Sequence, residues 1–271
     1  MIGDYMAKFT FITFNIKARR NLLKSVVNYV GKKSHSTNVI VALQELPDVG
    51  YIKEMTIPDS VCLYSRAGLA FVFPKRINAV VNEIGVLSDD IASVRRNALL
   101  LALPFAKESL QIVNIHGYAQ KEDGNLSKKK NKILFQNLEI FFGKCEKRIY
   151  LGDFNTNPYE ENFLSSDVIY SSRERECVKD GRTSVNFYNP IWRYLKEKKG
   201  VLGTYYNKKY SPRWQILDHI LISKKMCECA IKSFNILDGF SDIKIDLKKF
   251  KKDTVPPECS DHLPVSITME I

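Results

Sequence analysis

The chain alternates between short apolar runs and two longer stretches in which apolar residues recur with helical spacing. The short runs are rich in β-branched and aromatic residues and are bounded by polar or glycine positions, which is typical of buried strands. Within residues 19–32 the apolar positions fall at i, i+1, i+4, i+5 and i+8, on one face of a helix that we expect to end near Gly31. The predicted strands are residues 9–15, 39–43, 69–73, 98–103, 110–115, 148–151, 216–222 and 265–271.

A second amphipathic helix is predicted over residues 128–147, with inward-facing side chains at Ile133, Leu134, Leu138, Phe141 and Phe142. Residues 158–212 are polar and irregular, with interspersed aromatics, and no long element is predicted there. Many strands, few helices and several hairpin-sized connections argue against an alternating parallel arrangement. We therefore predict an α/β protein of the α+β type, in which two mixed sheets pack face to face with helices outside.

Residues 1–271 are expected to form a single domain, because no Pro-, Gly- or Ser-rich linker divides the chain and 45% of its residues are hydrophobic. No apolar run approaches the ~18 residues that indicate a membrane-spanning helix, so no transmembrane segment is predicted. The six cysteines are scattered without zinc-binding spacing and are interpreted as reduced thiols of a cytoplasmic protein.

The net charge of +11 comes mainly from lysine clusters such as 128–130 and 248–252. A basic surface attracts polyanions and speeds their encounter with the protein. A solvated lysine-rich surface explains the same composition equally well. Charge alone therefore favours a nucleic-acid partner only weakly.

Polar residues with catalytic chemistry stand at the ends of apolar runs throughout the chain. One such stretch would carry no information, but six of them indicate a single site built from the C-terminal ends of several strands. Their residue types suit a hard divalent cation and proton transfer at a phosphate ester. The six stretches are Thr13-Phe14-Asn15, Leu43-Gln44-Glu45, Asn114-Ile115-His116, Leu151-Gly152-Asp153-Phe154-Asn155, Leu217-Asp218-His219 and Ser260-Asp261-His262.

Two of these stretches place carboxylates after buried strands. Glu45 would enter a low-dielectric environment, which is unfavourable unless the carboxylate is paired or metal-bound. Asp153 and Asn155 are two residues apart, which would point both to one side of an extended segment. Asp153 could orient or deprotonate a water and the Asn155 amide could fix that water or a phosphate oxygen, while Gly152 permits close backbone approach.

The histidines are interpreted one by one. Asp218 and His219 should point to opposite faces of a strand, so only one can face the site. We choose Asp218, because an aspartate partner would hold the His262 imidazole in one tautomer, and we interpret His219 as a core histidine. His262 is a candidate base or phosphate contact, and Asp261 a candidate metal ligand or orienting group. His116 could donate a proton or bind a nonbridging phosphate oxygen.

In sequence order, these stretches resemble the motifs of the endonuclease/exonuclease/phosphatase superfamily, which has the DNase I-like fold. The resemblance covers nearly the whole chain, and Gly-Asp-Phe-Asn followed by Ser-Asp-His is specific to the superfamily but not to a substrate. The matching strings are Phe14-Asn15, Gln44-Glu45, Gly152-Asp153-Phe154-Asn155, Leu217-Asp218 and Ser260-Asp261-His262.

The resemblance implies a four-layered αββα sandwich with the site at one end of both sheets. It implies Mg²⁺ or Mn²⁺ held chiefly by Glu45, with Asn15 and Asp261 nearby. It also implies that Asp153 and Asn155 position and activate the attacking water, and that His262, paired with Asp218, contacts the scissile phosphate or accepts a proton. The implied reaction is hydrolysis of a P–O bond by in-line attack.

A histidine at position 116 is similar to DNase I, sphingomyelinases, inositol polyphosphate phosphatases and tyrosyl-DNA phosphodiesterases, whereas abasic-site endonucleases have a tyrosine in that motif. The basic surface favours a nuclease acting on DNA or RNA. The same site would serve a phosphatase or phosphodiesterase of small phosphorylated molecules or lipid headgroups. A catalytically silent binding module is disfavoured, because every group of the motif set is present.

The stretch 186–193 resembles one found in bacterial members of the superfamily, and its role is open. Trp192 and Tyr194 are interpreted as core residues rather than as a platform for stacking bases. Arg173 and Arg213 could contact phosphates, although arginines on loops are usually solvated.

Overall fold

The computed structural model describes residues 7–82, 97–105, 108–119, 124–143, 145–165, 168–179, 187–197, 203–207, 214–240, 243–244 and 259–271. Arg213 and the lysine cluster 248–252 lie outside the described residues. The helices are α1 (Arg20–Lys33), α2 (Val49–Glu54), α3 (Gly124–Phe142), α4 (Glu161–Leu164), α5 (Arg175–Lys179) and α6 (Ile191–Glu197), with a 3₁₀ turn at Lys225–Glu228.

The strands alternate with these helices and with tight connections. They are β1 (Lys8–Asn15), β2 (Asn38–Gln44), β3 (Val61–Arg66), β4 (Leu69–Pro74), β5 (Val80–Asn82), β6 (Ala98–Phe105), β7 (Glu108–His116), β8 (Arg148–Asp153), β9 (Ser171–Ser172), β10 (Phe187–Tyr188), β11 (Tyr205–Tyr206), β12 (Trp214–Gln215), β13 (Asp218–Ser223), β14 (Ala230–Ile236), β15 (Gly239–Phe240), β16 (Ile243–Lys244) and β17 (Val265–Glu270).

Two mixed sheets form the centre of the fold. The first sheet has the order β14-β17-β1-β2-β4-β3, and the second has the order β5-β6-β7-β8-β13-β10-β9. Each sheet has a parallel pair at its centre, β1 with β2 and β7 with β8, and antiparallel strands on both sides of that pair. The predicted pair of mixed sheets is confirmed.

Apolar cores separate the layers. One core lies between the sheets and includes Phe11, Ile112 and Ile149. A second lies between the first sheet and α1, and a third between the second sheet and α3. The order helix, sheet, sheet, helix is the predicted four-layered sandwich. None of the helices in the described ranges is long and apolar enough to cross a membrane.

The carboxyl ends of β1, β2, β7 and β8 meet at one edge of the sandwich, which we call the rim. The alternation of side chains along each strand decides which of them reach this rim. In β1, Ile12 and Phe14 face α1, whereas Phe11 faces the second sheet. In β8, Ile149 and Leu151 belong to the core between the sheets and Tyr150 faces α3. Because successive side chains point to opposite faces, the last residues of β1 and β8, Asn15 and Asp153, continue the inner face.

The predicted bounds of the two long helices need correction. The helix α3 covers residues 124–142 rather than 128–147, because Gly143 adopts a left-handed φ of 45° and ends it. Leu134, Leu138 and Phe142 are buried as predicted, but Ile133 and Phe141 are exposed on the flanks and Phe135 is buried in their place. The helix α1 continues through Gly31 to Lys33, and Ser34 Oγ donates to the Gly31 carbonyl at 2.8 Å.

Several elements were not predicted. The strands β3 and β14 lie at the edges of the first sheet, where half-exposed positions weaken the apolar pattern. The region 158–212 contains α4, α5, α6, β9, β10 and β11, and each of these elements is too short for its periodicity to be recognised.

Gly152 allows the central strands of the second sheet to approach closely. It pairs with Ile115 across the parallel β7–β8 ladder and has a φ of 153°. A Cβ atom at this position would overlap the backbone carbonyl oxygen of Ile115. The glycine therefore fixes the spacing of the strands one residue before Asp153, as predicted from the Gly-Asp string.

We expect Gly152→Ala to lower the free energy of unfolding by at least about 3 kcal/mol, because the added methyl group overlaps backbone that cannot move away cheaply. Chemical denaturation followed by circular dichroism measures this change. The matched control is Gly31→Ala, where the nearest atom to the new Cβ is 3.5 Å away, Cγ of Pro58, and helix propensity favours alanine by about 1 kcal/mol. Equal stability of the two variants would contradict the close approach.

Candidate active site

Four of the predicted site residues lie at, or directly after, the ends of parallel strands. These strands end at the same rim. Asn15 ends β1 and Glu45 follows β2 in the first sheet, while His116 ends β7 and Asp153 ends β8 in the second. The carboxyl ends of parallel strands meet at one edge, so these four side chains converge. For them the predicted origin at strand ends is correct.

Three of the predicted site residues lie at, or shortly before, the beginnings of strands. This corrects the prediction that all of them lie at the C-terminal ends of strands. The three residues are Asp218, Asp261 and His262. Asp218 is the first residue of β13 and pairs with Asp153, because β13 runs antiparallel to β8. Asp261 and His262 precede β17, whose first residue, Val265, pairs with Thr13 of β1. These side chains lie at strand beginnings and not at strand ends.

The amide of Asn15 joins the two sheets at this rim. Its Nδ2 donates to Oε1 of Glu45 at 2.9 Å and to Oδ2 of Asp153 at 3.0 Å. Asn15 is fully buried, and its Oδ1 accepts from the backbone N–H of Lys17 at 3.0 Å. All of its polar groups are used, so the side chain holds the carboxylates of Glu45 and Asp153 near each other.

A second polar contact between the sheets involves Gln44, which pairs with Asn15 across β1 and β2. Gln44 Nε2 donates to Asn114 Oδ1 at 2.6 Å, and Asn114 Nδ2 donates to the carbonyls of Leu43 and Ala70, both at 2.9 Å. Both side chains are fully buried. Gln44 and Asn114 belong to the polar stretches of the sequence, but no role was predicted for either residue.

His262 and Asp218 form a buried pair. The His262 Nδ1 lies 2.9 Å from Oδ2 of Asp218, and its Nε2 lies 3.6 Å from Oδ2 of Asp153. Burial lowers the pKa of the imidazole, but the negative charges of Asp218 and Asp153 and the hydrogen bond to Asp218 outweigh it and raise the pKa to about 10. His262 is therefore a cation near neutral pH.

Asp153 lies at the centre of the cluster. Burial raises its pKa and the negative charge of Asp218 adds to this effect, while His262 and His116 oppose it. Its Oδ1 accepts from the backbone N–H of Asn155 at 2.9 Å. The carboxylate thus has one oxygen fixed by backbone and the other directed toward Asn15 and the two histidines.

Asn155 reaches the site in a different way from the one predicted. It has a φ of 48° in a turn after β8, so the two-residue spacing of an extended strand does not apply to it. Its Nδ2 donates to the carbonyl of Gly117 at 3.0 Å, and Gly117 N–H donates to the carbonyl of Asp153 at 2.7 Å. In this structure Asn155 ties the segment after His116 to Asp153.

Glu45 and His116 form the more exposed side of the cluster. The His116 Nε2 lies 3.7 Å from Oε1 of Glu45 and 3.9 Å from Oδ2 of Asp153. Glu45 has a left-handed φ of 49°, which for a residue with a side chain is sparsely populated and is often found at functional sites.

Comparison with solved structures gives the same fold over nearly the whole chain. The catalytic domain of Xenopus laevis APE2 superimposes with a TM-score of 0.60 at 16% identity, covering 96% of this chain and 91% of that one. A humanized D. rerio TDP2 gives 0.58 at 14% identity, with 97% and 99% covered. The 3′ phosphatase NExo from Neisseria, bound to a product DNA hairpin, gives 0.58 at 17% identity, with 95% and 98% covered.

This chain shares the DNase I-like fold of these structures. No protein-family model matches the sequence, and no curated protein matches it either. Identities of 14–17% to these structures establish the shared fold and do not transfer a substrate.

The rim of this DNase I-like sandwich contains groups that could hold a metal ion. Oxygen and nitrogen atoms of Glu45, His116 and Asp153 lie within 4.8 Å of one another. Asp261 adds a carboxylate whose Oδ2 contacts the ammonium of Lys17, and whose buried Oδ1 has no hydrogen-bond partner among the described residues. Carboxylate oxygens suit a hard divalent cation, so Glu45 and Asp153, together with the His116 imidazole, fit such an ion, whereas the amide oxygen of Asn15 already accepts from the Lys17 N–H.

Thr204 and Tyr205, for which the sequence predicted no role, lie at one side of the site. Thr204 Oγ1 accepts from the backbone N–H groups of Leu217 and Asp218, both at 3.0 Å. The ring of Tyr205 lies 4.7 Å from the His262 ring. Burial, followed by the charges of Asp261, Asp153 and Glu45, raises the pKa of Tyr205 to about 12. Tyr205 is thus a neutral phenol beside the cluster.

Ser260 connects the His262 loop to β1. Its hydroxyl donates to the carbonyl of Asn15 at 2.7 Å and accepts from the His262 N–H at 3.1 Å. The Ser-Asp-His string was the only signal for it, because the serine is the first member of that motif.

His219 lies on the other face of β13, as expected from its position next to Asp218. It is fully buried against Phe154 and Phe163, with Nε2 2.9 Å from the Thr156 carbonyl and Nδ1 3.2 Å from Nδ2 of Asn189. Burial lowers its pKa to about 4. It is a neutral core histidine.

We expect His219 to make stability depend on pH. His219 has a pKa of about 4 in the folded protein and an ordinary pKa of about 6.5 in the unfolded chain. Between these two pH values the unfolded chain therefore binds one more proton than the folded protein. Its contribution is therefore present above pH 6.5 and is lost as the pH falls toward 4, by on the order of 3 kcal/mol.

Urea denaturation across this pH range measures the effect, with His219→Gln as the comparison because glutamine does not titrate. The difference in free energy of unfolding between the two proteins should change with pH only in that window. A difference independent of pH would show that His219 is not held neutral.

Proposed function

We propose that this protein is a divalent-metal-dependent phosphodiester hydrolase that cleaves DNA or RNA by in-line attack of an activated water. The observation that carries the proposal is the buried cluster at the rim of both sheets, in which His262, held by Asp218, faces Asp153. Such a combination of a fixed imidazole, an adjacent carboxylate and groups that could hold a metal suits a phosphate ester.

In the proposed reaction His262 acts as a cation and hydrogen-bond donor. Asp218 accepts from Nδ1, so the Nε2–H is directed into the cluster and contacts a nonbridging oxygen of the scissile phosphate. A charge aimed at the position where negative charge develops stabilises the transition state. The raised pKa favours this role over that of a base near neutral pH.

Asp153 is the proposed base. Its carboxylate accepts a proton from water while the water oxygen forms a bond to phosphorus, and the bond to the leaving oxygen breaks on the opposite side. The leaving oxygen takes a proton from solvent. Asn155 would help to position the water, and His116 on the exposed side of the cluster would contact the phosphate.

Glu45 and Asp261 are the proposed carboxylate ligands of Mg²⁺ or Mn²⁺, and Asn15, whose oxygen accepts from the Lys17 N–H, would orient Glu45 through its Nδ2. A bound divalent cation would supply Lewis-acid stabilisation of the phosphate. The unpartnered Oδ1 of Asp261 and the unusual backbone conformation of Glu45 support this assignment.

Nucleic acid is the proposed substrate because the chain has a net charge of +11 and two solved structures with this fold, NExo and a D. rerio TDP2, contain product DNA. None of the six cysteines forms a disulfide in the structure, which supports a reducing, cytoplasmic location. Small phosphorylated molecules and lipid headgroups are the substrates to test if nucleic acids are not cleaved.

We expect His262→Ala and Asp218→Asn each to lower turnover by about 10²–10⁴-fold, as for general acid–base and orienting groups. The assay is cleavage of supercoiled plasmid and of end-labelled single- and double-stranded oligonucleotides with Mg²⁺, compared with EDTA. The control is His35→Ala, which removes an exposed histidine. Wild-type rates in the His262 variant would refute the site assignment.

We expect Glu45→Gln to raise the Mg²⁺ concentration for half-maximal activity by at least about 10-fold, because it removes a charged ligand while its amide oxygen can still accept from Asn15. Titration of activity with Mg²⁺ measures this shift. Glu54→Gln, on an exposed position of α2, is the matched control. Identical Mg²⁺ titrations for wild type and Glu45→Gln would exclude Glu45 as a ligand.

A further inference from the structure

A groove runs along α6 at the side of the sandwich, away from the catalytic rim. Its larger part has a volume of about 690 Å³ and is lined by residues that include Arg173, Tyr188, Trp192, Arg193 and Lys196. A smaller pocket of about 250 Å³ shares Tyr188 and Arg193 with it and reaches β14 of the first sheet. We call the two together the α6 groove.

The α6 groove is basic. Its lining contains five arginine and lysine side chains and two glutamates, although Lys232 is paired with Glu270 outside the lining and Arg173 lies 4.0 Å from Glu174. Arg173 and Arg193 are largely exposed, each with 73% of the side chain accessible. The ion pair of Arg193 with Glu197 is on the surface, where such pairs contribute little. The groove therefore presents positive charge to solvent.

Aromatic rings lie among these cations. Trp192 is half-buried and packs on the core with one part of its surface while lining the groove with another. Tyr188 lines both parts of the groove. A basic groove with aromatic side chains is the arrangement by which proteins bind single-stranded nucleic acid, since cations track the phosphates and bases stack on the rings.

The groove lies within reach of a strand whose scissile phosphate is at the catalytic rim. Tyr188 pairs with Ile222, which is four residues along β13 from Asp218. At about 3.3 Å per residue this is roughly 13 Å along the strand, a distance that a short oligonucleotide spans.

We propose that the α6 groove is an accessory binding site for single-stranded nucleic acid that flanks the scissile phosphate. Arg173 and Lys196 contact phosphates, and Trp192 stacks on a base. This assignment rests on the proposed function for its substrate class. In this proposal one part of the Trp192 side chain packs on the core, as expected from the sequence, and another part contacts a base.

The test compares the double variant Arg173→Ala/Lys196→Ala with wild type. Binding of a fluorescent single-stranded oligonucleotide, long enough to extend from the rim beyond the groove, is measured by anisotropy in EDTA over a range of salt concentrations. We expect affinity to fall about 10-fold at low salt, and the slope of log K against log salt to become shallower by about 1.4, corresponding to two phosphate contacts.

The matched control is Lys24→Ala/Lys53→Ala, which removes the same charge from exposed positions on α1 and α2. It should leave the slope nearly unchanged. Trp192→Leu should weaken binding by about 10-fold with no change in slope, because stacking is not ionic. Equal binding by wild type and the double variant overturns the proposal, and so does equally effective competition by polyglutamate and by unlabelled oligonucleotide.

Hydrolysis of bis-p-nitrophenyl phosphate separates this inference from the proposed function. The ester is too small to reach the groove, so the double variant should hydrolyse it at the wild-type rate. If the ester is hydrolysed but oligonucleotide binding is unchanged in the double variant, the groove assignment alone is wrong. If neither ester nor oligonucleotide is hydrolysed while the variant loses oligonucleotide binding, the groove stands and the proposed function fails.

Discussion

The contact between the Asn15 amide and the Asp153 carboxylate is the interaction on which the site depends. The two residues end strands in different sheets and are almost completely buried, so the contact forms only when the sheets pack in one register. The contact between Gln44 and Asn114 imposes the same condition. A buried polar network is stabilising only when every member is satisfied. The packing of the core between the sheets and the assembly of the rim therefore require the same register of the two sheets.

Electrostatics explains why this rim is suited to a cation. Asp153, Asp218 and Asp261 are buried close together, and the compensating charges are His262 and the Lys17 ammonium. The left-handed residues Lys17, Glu45 and Asn155 lie at the same rim, where each conformation costs of order 1–3 kcal/mol. Strain and concentrated negative charge persist together because the surrounding strands fix the backbone on both sides.

The sequence predicted the central strands and the side chains at their ends because buried strands have a strong apolar signal and their last residues are conspicuously polar. Asp218 was separated from His219 by the alternation of a strand, and the structure places them on opposite faces. The direction of β13 and β17 was not predictable, since a polar residue looks the same at the beginning of a strand as at its end. Thr204, Tyr205 and Ser260 act through contacts between distant segments, and Asn155 occupies a turn whose φ leaves no signal in the spacing.

In the proposed reaction the groups at the rim suit any phosphate ester, so selection among substrates must come from side chains outside the rim. Tyr205 is one such group, because its neutral phenol lies beside His262 at the edge of the cluster. The proposed α6 groove is another, because its cations and aromatic rings would distinguish a polynucleotide from an isolated phosphate. A small substrate would contact only the first of these, whereas a nucleic acid would contact both. Dependence of the rate on the length of the substrate chain is therefore the property that would separate the two proposed classes of substrate.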